Sequence, residues 1–411
     1  MRERKEWNEK QRLVGQWLDA LNHPEASLRV IHIVGTNGKG STGTAIAVGL
    51  RDFIRKANEG KPGRVKPVGH FLSPHVHRYN ERILLDETPI SDEKLQEVRR
   101  ELQAVKEAFS LPEPEYFQQS LLEALLAFRD CRWAIIEAGV GGQEDVTNLL
   151  PSEMVVITTI SEDHLQTLGP TIRDIARHKA GVIVPGHPVI SCNQRPEVAR
   201  IISEICARRK APLVVYHPES MVRPHLRKVR EEAPRFRMGF TWTEGALAGD
   251  YELSMIGLHQ LQNMGTALLA LECLSIEDPK LVAHALAEIQ VPGRMEEIST
   301  APDIWIDGAH NPQAVDILLA NLKWLQIEEP NLIFGMHEGK INAEKRQELF
   351  AACRKVVHIR VEEESDAAIL EELSEALDTL NWEDPERPII VCGSLYILDG
   401  AQRWVRDHAR K

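Results

Sequence analysis

Gly35-Thr36-Asn37-Gly38-Lys39-Gly40-Ser41-Thr42 sets three glycines, an amine and three hydroxyls side by side, straight after the apolar run Arg29 to Val34 and ahead of a stretch opening with small residues. Strand, glycine turn and helix start, in that order, make a phosphate cradle. Glycines let backbone N–H groups turn inward without a clashing Cβ, a helix N-terminus favours negative charge, and Lys39 supplies a point charge. The literal GxxxxGKS/T pattern is not met, since Ile33 stands where its first glycine would be and Gly40 separates Lys39 from Ser41. A glycine-rich turn without a ligand is the plain alternative.

Three further places carry chemistry. Glu137 closes the apolar run Trp133 to Ala138 and leads into Gly139-Val140-Gly141-Gly142-Gln143-Glu144-Asp145-Val146-Thr147-Asn148. A carboxylate past a strand's carboxyl end, where open α/β sheets bind ligands, suits Mg²⁺, which takes few protein ligands and keeps phosphate oxygens and water. The plain reading is a sheet-edge charge. His164, in Ser161-Glu162-Asp163-His164, suits a second metal or a phosphate, against a capping Asp163 beside a surface histidine. Lys179 lies on a basic stretch, Ile172 to Ile183, that by itself reads as a solvated helix face. Later, Asp307-Gly308-Ala309-His310-Asn311-Pro312 joins a strand to a helix with proline in its first turn. Its Asp and His suit nucleotide contacts, and its Asn-Pro equally suits turn chemistry.

Positioning these groups requires parallel strands. Strand-like runs at 29–34, 133–138, 154–160, 188–192, 212–216, 331–335, 356–361 and 388–392 alternate with helical patterns at 41–56, 92–109 and 312–324, which predicts an α/β protein with helices on both sheet faces. Val291-Pro292-Gly293-Arg294 marks an expected boundary, giving domains 1–291 and 292–411. The basic, proline-punctuated stretch Arg223 to Arg237 reads as an exposed excursion. With 411 residues, 43% of them hydrophobic, the chain has material for two or three cores. Its formal charge of −12 argues against a general nucleic-acid binder, whose affinity comes from Lys and Arg on phosphates. Six cysteines without a CxxC pair indicate neither zinc nor a disulfide framework. No signal peptide, anchor or membrane span of roughly 18 apolar residues is expected, and the cytoplasm fits best.

Nine motifs in order resemble the folylpolyglutamate synthase and dihydrofolate synthase family within the Mur-ligase group. They are GTNGKGST at 35–42, SPH at 73–75 with ERI at 81–83, EAGVGG with DVTN at 137–148, DH at 163–164, ARHKAGVI at 176–183, GLHQLQN at 257–263, PGR at 292–294, DGAHNP at 307–312 and GSLY at 393–396. The resemblance implies a P-loop, Mur-ligase-type ATPase domain with a parallel-rich sheet and a smaller, Rossmann-like C-terminal glutamate-ligase domain. It implies ATP and Mg²⁺, with Gly35, Thr36, Asn37, Gly38, Lys39, Gly40 and Ser41 on the phosphates and Ser73, Glu137 and His164 on the metal. Lys179 falls where the family carries a carbamylated lysine, and it joins Lys39 and His164 as catalytic. Asn263, Arg294, Asp307 and His310 match ATP-contacting positions, the last three near an interdomain cleft. The 34 residues before the loop cannot hold the UDP-binding domain of the peptidoglycan-building Mur ligases.

The implied activity is ligation of L-glutamate to dihydropteroate or a reduced folate through an acyl phosphate, by a monomer that engages neither nucleic acid nor membrane. Departures concentrate where the folate would lie. GGRxDATN reads GGQEDVTN, replacing an arginine with Gln143; FExxT reads Phe117-Gln118-Gln119-Ser120-Leu121; and the family's Asp-Lys-Asp is replaced within Gly335-Met336-His337-Glu338-Gly339-Lys340. Loss of an arginine fork changes anion recognition. They motivate two alternatives: a related ligase acting on a non-folate acid, and a nucleotide-binding regulator that has lost catalysis.

Overall fold

In the computed structural model, residues 8–61, 65–337, 339–361 and 366–408 are described, without the side chains at 366, 395 and 396. Residues 1–7, Glu338, and the side chains of Leu395 and Tyr396 in GSLY therefore lie outside the described residues.

Eight strands form the larger sheet: β1 (Arg29–Val34), β2 (Val68–Phe71), β3 (Ile83–Leu85), β4 (Thr88–Pro89), β5 (Trp133–Glu137), β6 (Ser152–Ile157), β7 (Val189–Ser191) and β8 (Leu213–Val215). Their order is β4-β3-β2-β5-β1-β6-β7-β8, parallel from β2 to β8, with β3 and β4 antiparallel at one edge. Strand β1 lies inside the sheet and is buried on both faces, with His32 the one polar side chain in its run of buried residues. Alternation along β2 shows the two layers. His70 faces Gly43 of the helix Lys39–Ala57, while Phe71 points the other way onto Phe117, 5.6 Å between rings, at the start of the helix Tyr116–Ala127. The helices Glu9–Ala20 and Asp92–Phe109 join that second layer through Val14, Trp17, Leu95 and Leu102. Helices Ile172–Ala180 and Pro196–Arg209 pack through Ile175, Ile201 and Ile202 onto Val155, Ile157 and Val189.

Strands β9 (Met221–Lys228), β10 (Phe236–Trp242) and β11 (Gly249–Leu253) form a three-stranded sheet in the order β11-β10-β9. Five more, β12 (Glu296–Thr300), β13 (Asp303–Asp307), β14 (Asn331–Gly335), β15 (Lys355–His358) and β16 (Ile389–Gly393), form a sheet ordered β12-β13-β16-β14-β15. It is parallel except for β12. The chain divides into two compact units. One runs up to Val222 and includes Thr241–Asp250 and Gln262–Leu286; the other comprises Arg223–Phe240, Tyr251–Leu261 and everything from Ala287 onward. No helix among the described residues is long and apolar enough to cross a membrane. All six cysteines are free thiols.

Two sequence expectations change. The run 154–160 stops being strand at Ile157, because Thr158 to Ser161 turn to hydrogen-bond the loop after β1. The basic stretch 223–237 is not an excursion but most of a strand pair, exposed along β9. Its charges are matched by carboxylates far along the chain: Arg227 by Glu252, and Arg235 by Glu297 and Asp303. Glu297 is 3% exposed, and both its carboxylate oxygens accept from Arg235. A buried ion left without its partner is costly. Arg235→Met is therefore expected to lower unfolding free energy by about 3–5 kcal/mol in urea titrations, and adding Glu297→Leu to restore part of the loss.

Candidate functional site

Parallel pairing of β2, β5, β1 and β6 delivers their carboxyl ends to the same side of the sheet, and four expected site segments follow directly. Ser73 comes two residues after β2, Glu137 ends β5, the glycine loop leaves β1, and His164 follows β6. The loop is fixed from the β6 side. The Thr36 N–H donates to Thr159 O at 2.7 Å, and the Thr36 hydroxyl both donates to Ser161 O and accepts from Ser161 N–H, each at 3.1 Å. Two glycines answer to sterics. A Cβ at Gly35 would sit 1.9 Å from Thr158 Oγ1; at Gly38, where φ is +87°, it would meet Asn263 Oδ1 at 2.3 Å. Asn263, on the helix Leu258–Cys273, thus lies against the loop as expected. The neighbouring Gln262 donates to Thr159 Oγ1 at 2.7 Å, a contact not foreseen from sequence.

Gly38 caps the 19-residue helix Lys39–Ala57, whose first turn carries Lys39, Gly40 and a buried Ser41. Lys39 Nζ lies 3.3 Å from Thr36 O and 3.5 Å from Glu137 Oε1, with Glu137 only 4% exposed. Lys179 comes to the same turn from the helix Ile172–Ala180, donating to Gly35 O at 2.7 Å. It is therefore no solvated-face residue. Burial, reinforced by the nearby Lys39 charge, pulls its pKa down to about 7. The hydroxyls of Thr42 and Ser161 are buried at this end of the sheet without a hydrogen-bond partner among the described residues. A helix N-terminus, inward amides, a cation and spare hydroxyls fit a polyphosphate.

His164 takes a left-handed backbone, φ +52°, at the start of the short helix Leu165–Leu168, and its Nε2 lies 3.8 Å from Asp163 Oδ1. Ser73 is half-buried ahead of Pro74. Among the described residues no three His, Cys, Asp or Glu side chains group as a metal site. Glu137, His164 and Ser73 each follow or end a strand at this end of the sheet, and donors of these types are compatible with a hard cation that retains water and phosphate oxygens.

In the second unit the expected Arg294, Asp307 and His310 share one neighbourhood. Gly308 N–H donates to Gly293 O at 2.8 Å, and Met295 N–H donates to Asp307 Oδ2 at 2.8 Å. Burial raises the Asp307 pKa to about 6, with the Arg294 charge opposing the rise. His310 donates from Nδ1 to Gly308 O at 2.8 Å, which leaves Nε2 as the acceptor of the neutral ring.

The Mur ligase middle domain matches residues 33–271. The dihydrofolate synthase/folylpolyglutamate synthase of Bacillus subtilis is 31% identical, over 94% of this chain and 93% of its own; the folylpolyglutamate synthase of Lacticaseibacillus casei is 30% identical, over 94% and 92%. A solved complex of folylpolyglutamate synthase with AMPPCP and folate superposes with a TM-score of 0.82 at 30% identity, covering 96% of this chain and 94% of that one. The chain belongs to the folylpolyglutamate and dihydrofolate synthase family.

Within that family its departures at 118 and 143 differ in kind. Gln118 is buried, and its Oε1 accepts the Glu115 N–H at 3.0 Å in a reciprocal cap of its own helix. Glutamate and glutamine serve that cap equally, so the local structure is indifferent to the exchange. Gln143 is exposed, on a loop fixed by Asp145. That buried carboxylate accepts from the N–H groups of Gly139, Val140 and Thr147 and from the Thr147 hydroxyl, at 2.5–3.1 Å. Sequence reading quoted Asp145 within DVTN without giving it this role; an Asp two residues before Thr is the available signal, as an Asx-type turn.

The lowered Lys179 pKa has a stability sign. Between pH 7 and 10.5 the unfolded lysine holds a proton that the folded one has released, so stability rises with pH across that window. In CO₂-depleted buffer, Lys179→Met should therefore gain most on the parent in Tm at pH 7 and lose that advantage as pH approaches 10, by scanning calorimetry.

Proposed function

We propose that this protein is an ATP-dependent ligase that joins L-glutamate to the carboxylate of a folate-type acceptor, dihydropteroate or a reduced folate. The observation that carries the reading is the placement of Lys39 Nζ at the head of the loop helix, 3.5 Å from the Glu137 carboxylate, past the carboxyl ends of β1 and β5. Relatives named for dihydrofolate and folylpolyglutamate synthesis, and one solved with an ATP analogue and folate, supply the acceptor class.

A carboxylate is a poor electrophile because its charge is delocalised. Its oxygen attacks the γ-phosphorus of ATP, ADP leaves, and an acyl phosphate forms. The glutamate amine then attacks the acyl carbon, the C–O bond to phosphate breaks, and inorganic phosphate departs as the nitrogen loses its proton. The helix-start amides of residues 38–41 and the Lys39 ammonium hold the phosphates and offset charge that builds during transfer. Mg²⁺, when bound, adds Lewis-acid neutralisation of the phosphate oxygens. Ser73, Glu137 and His164 would hold it.

Lys179 is assigned the family's carbamate. A lysine held near neutrality presents a free amine, the form that adds CO₂, and the resulting anion beside Gly35 would balance the Lys39 and metal charges. Asn263, Arg294, Asp307 and His310 are assigned to ATP, with 292–411 as the glutamate-ligase domain. We place the enzyme in the cytoplasm as a monomer acting on small molecules.

Ligation to a non-folate acid remains a second reading on the strength of Gln143 alone, since Gln118 has a local structural role. A coupled ADP assay with dihydropteroate, tetrahydrofolate and other acids, each with and without L-glutamate, separates the two. Lys39→Ala is expected to lower glutamate-dependent ADP release by at least 100-fold with an unchanged circular dichroism spectrum; near-parental turnover removes Lys39 from the site. Glu137→Gln should shift the Mg²⁺ titration of activity to higher concentration, and an unshifted curve removes Glu137 from the metal.

A further inference from the structure

The loop after β5 is held from an unexpected quarter. Three consecutive carbonyls, those of Gln143, Glu144 and Asp145, accept hydrogen bonds from the first turn of the helix Glu9–Ala20 and its cap, more than 130 residues earlier in the chain. Asn8 Nδ2 donates to Glu144 O at 2.9 Å. Gln11 Nε2 donates to Gln143 O at 3.1 Å and to Asp145 O at 2.9 Å, while Gln11 Oε1 accepts the Asn8 N–H at 3.3 Å. Gln11 is 1% exposed. Both hydrogens of its amide are donated and its oxygen is occupied, so no surface role explains it, and no other orientation of the amide satisfies these three partners.

The same loop touches the reaction's residues at its other edges. It begins two residues after Glu137. The Gln143 N–H donates to His178 O at 2.8 Å, and Gly142 packs so closely on the Lys179 backbone that a Cβ there would lie 2.9 Å from Lys179 O. One face of the loop is thus pinned by Gln11, and the other carries the helix from which Lys179 reaches Gly35.

We propose that Gln11 is a positioning residue for the ligase reaction, clamping the 139–145 loop so that it and the Lys179 helix keep one geometry. The proposal rests on the ligase reading of the site. Gln11 contacts none of the groups assigned to phosphates or metal and acts only through the loop.

Gln11→Glu keeps the shape and removes both donors at neutral pH, setting a carboxylate against two carbonyl oxygens. Protonated, that carboxyl can donate one bond again. Gln11→Leu removes the donors at every pH. For Gln11→Glu, the expected result is a kcat for glutamate-dependent ADP release lowered about 10-fold or more at pH 8, with KM for ATP within about twofold, and partial recovery relative to the parent as pH falls toward 6. Gln11→Leu should show no such recovery. Amide hydrogen exchange on the protein alone should accelerate over 139–145 and 172–180 in both variants. Unchanged exchange in those segments, or a loss of kcat equal in the two variants at every pH and matched by equal loss of Tm, overturns the proposal. The exchange measurement tests the clamp even where the parent releases no ADP, an outcome that would overturn the ligase reading by itself.

Discussion

Two lysines meet one turn. Lys39 and Lys179 approach the adjacent carbonyls of Thr36 and Gly35 from two different helices, and Glu137 is the carboxylate placed 3.5 Å from Lys39. Lys179 is buried, and the Lys39 charge acts on it against the carboxylates of Asp163, Asp145 and Glu137. Desolvation outweighs those carboxylates and pulls the Lys179 pKa down to about 7. The turn itself must then be rigid, since its carbonyls accept from both lysines while its Thr36 and Asn37 amides donate to Thr159 O. That rigidity comes from Thr36 and Gly35 locked against the end of β6, and it explains why the strand stops at Ile157 rather than running on to Ile160.

Strand order does the rest of the placement. Because β5 and β6 flank β1, whatever follows each of them in sequence falls beside the loop without further design. The segment after β5 is long and glycine-rich, and it would have little reason to hold a shape. Its own Asp145 ties the beginning to the end, and the first helix ties its outer edge. A loop that must carry function without moving is thus built from side-chain bonds to backbone, each satisfying a group that burial would otherwise leave unpaired.

Local pattern made the placement of Lys39, Glu137 and the 307–310 turn legible, because each sits where a strand ends and a helix or turn begins, and those junctions leave composition marks. Strand β1, the helix 92–109 and the helix 312–324 were readable to the residue for the same reason: apolar periodicity bounded by a cap or a glycine. Lys179 was not legible from its neighbours. It shares a basic helix with Arg173 and Arg177, both solvent-facing, and only burial by the tertiary fold separates it from them. The 223–237 stretch misled for a related reason. Its charges suggest solvent, but their partners Glu252, Glu297 and Asp303 are distant in sequence, and no local rule reports a long-range ion pair. Gln11 is the extreme case, a polar residue on an amphipathic helix whose partners lie 132 and 134 positions away.

The same distinction decides how the family departures bear on the acceptor. A substitution read from sequence alone counts as a change of recognition, yet Gln118 spends its oxygen on the Glu115 N–H, and its helix Tyr116–Ala127 starts as it would with glutamate. Recognition has to be carried by groups that the fold leaves available. Gln143 and Glu144 are exposed on the clamped loop, and Tyr116 is more than half exposed, with the largely buried Arg82 guanidinium 5.0 Å from its ring. An arginine at 143 would add a planar, bidentate donor to that surface; glutamine offers one donor group and one acceptor. The backbone bonds that fix the loop, from Gln11, Asn8, Asn148 and Asp145, all run to main-chain atoms and are therefore indifferent to which side chain occupies 143. The hydrogen bonds that fix the loop backbone are thus the same with either residue at 143.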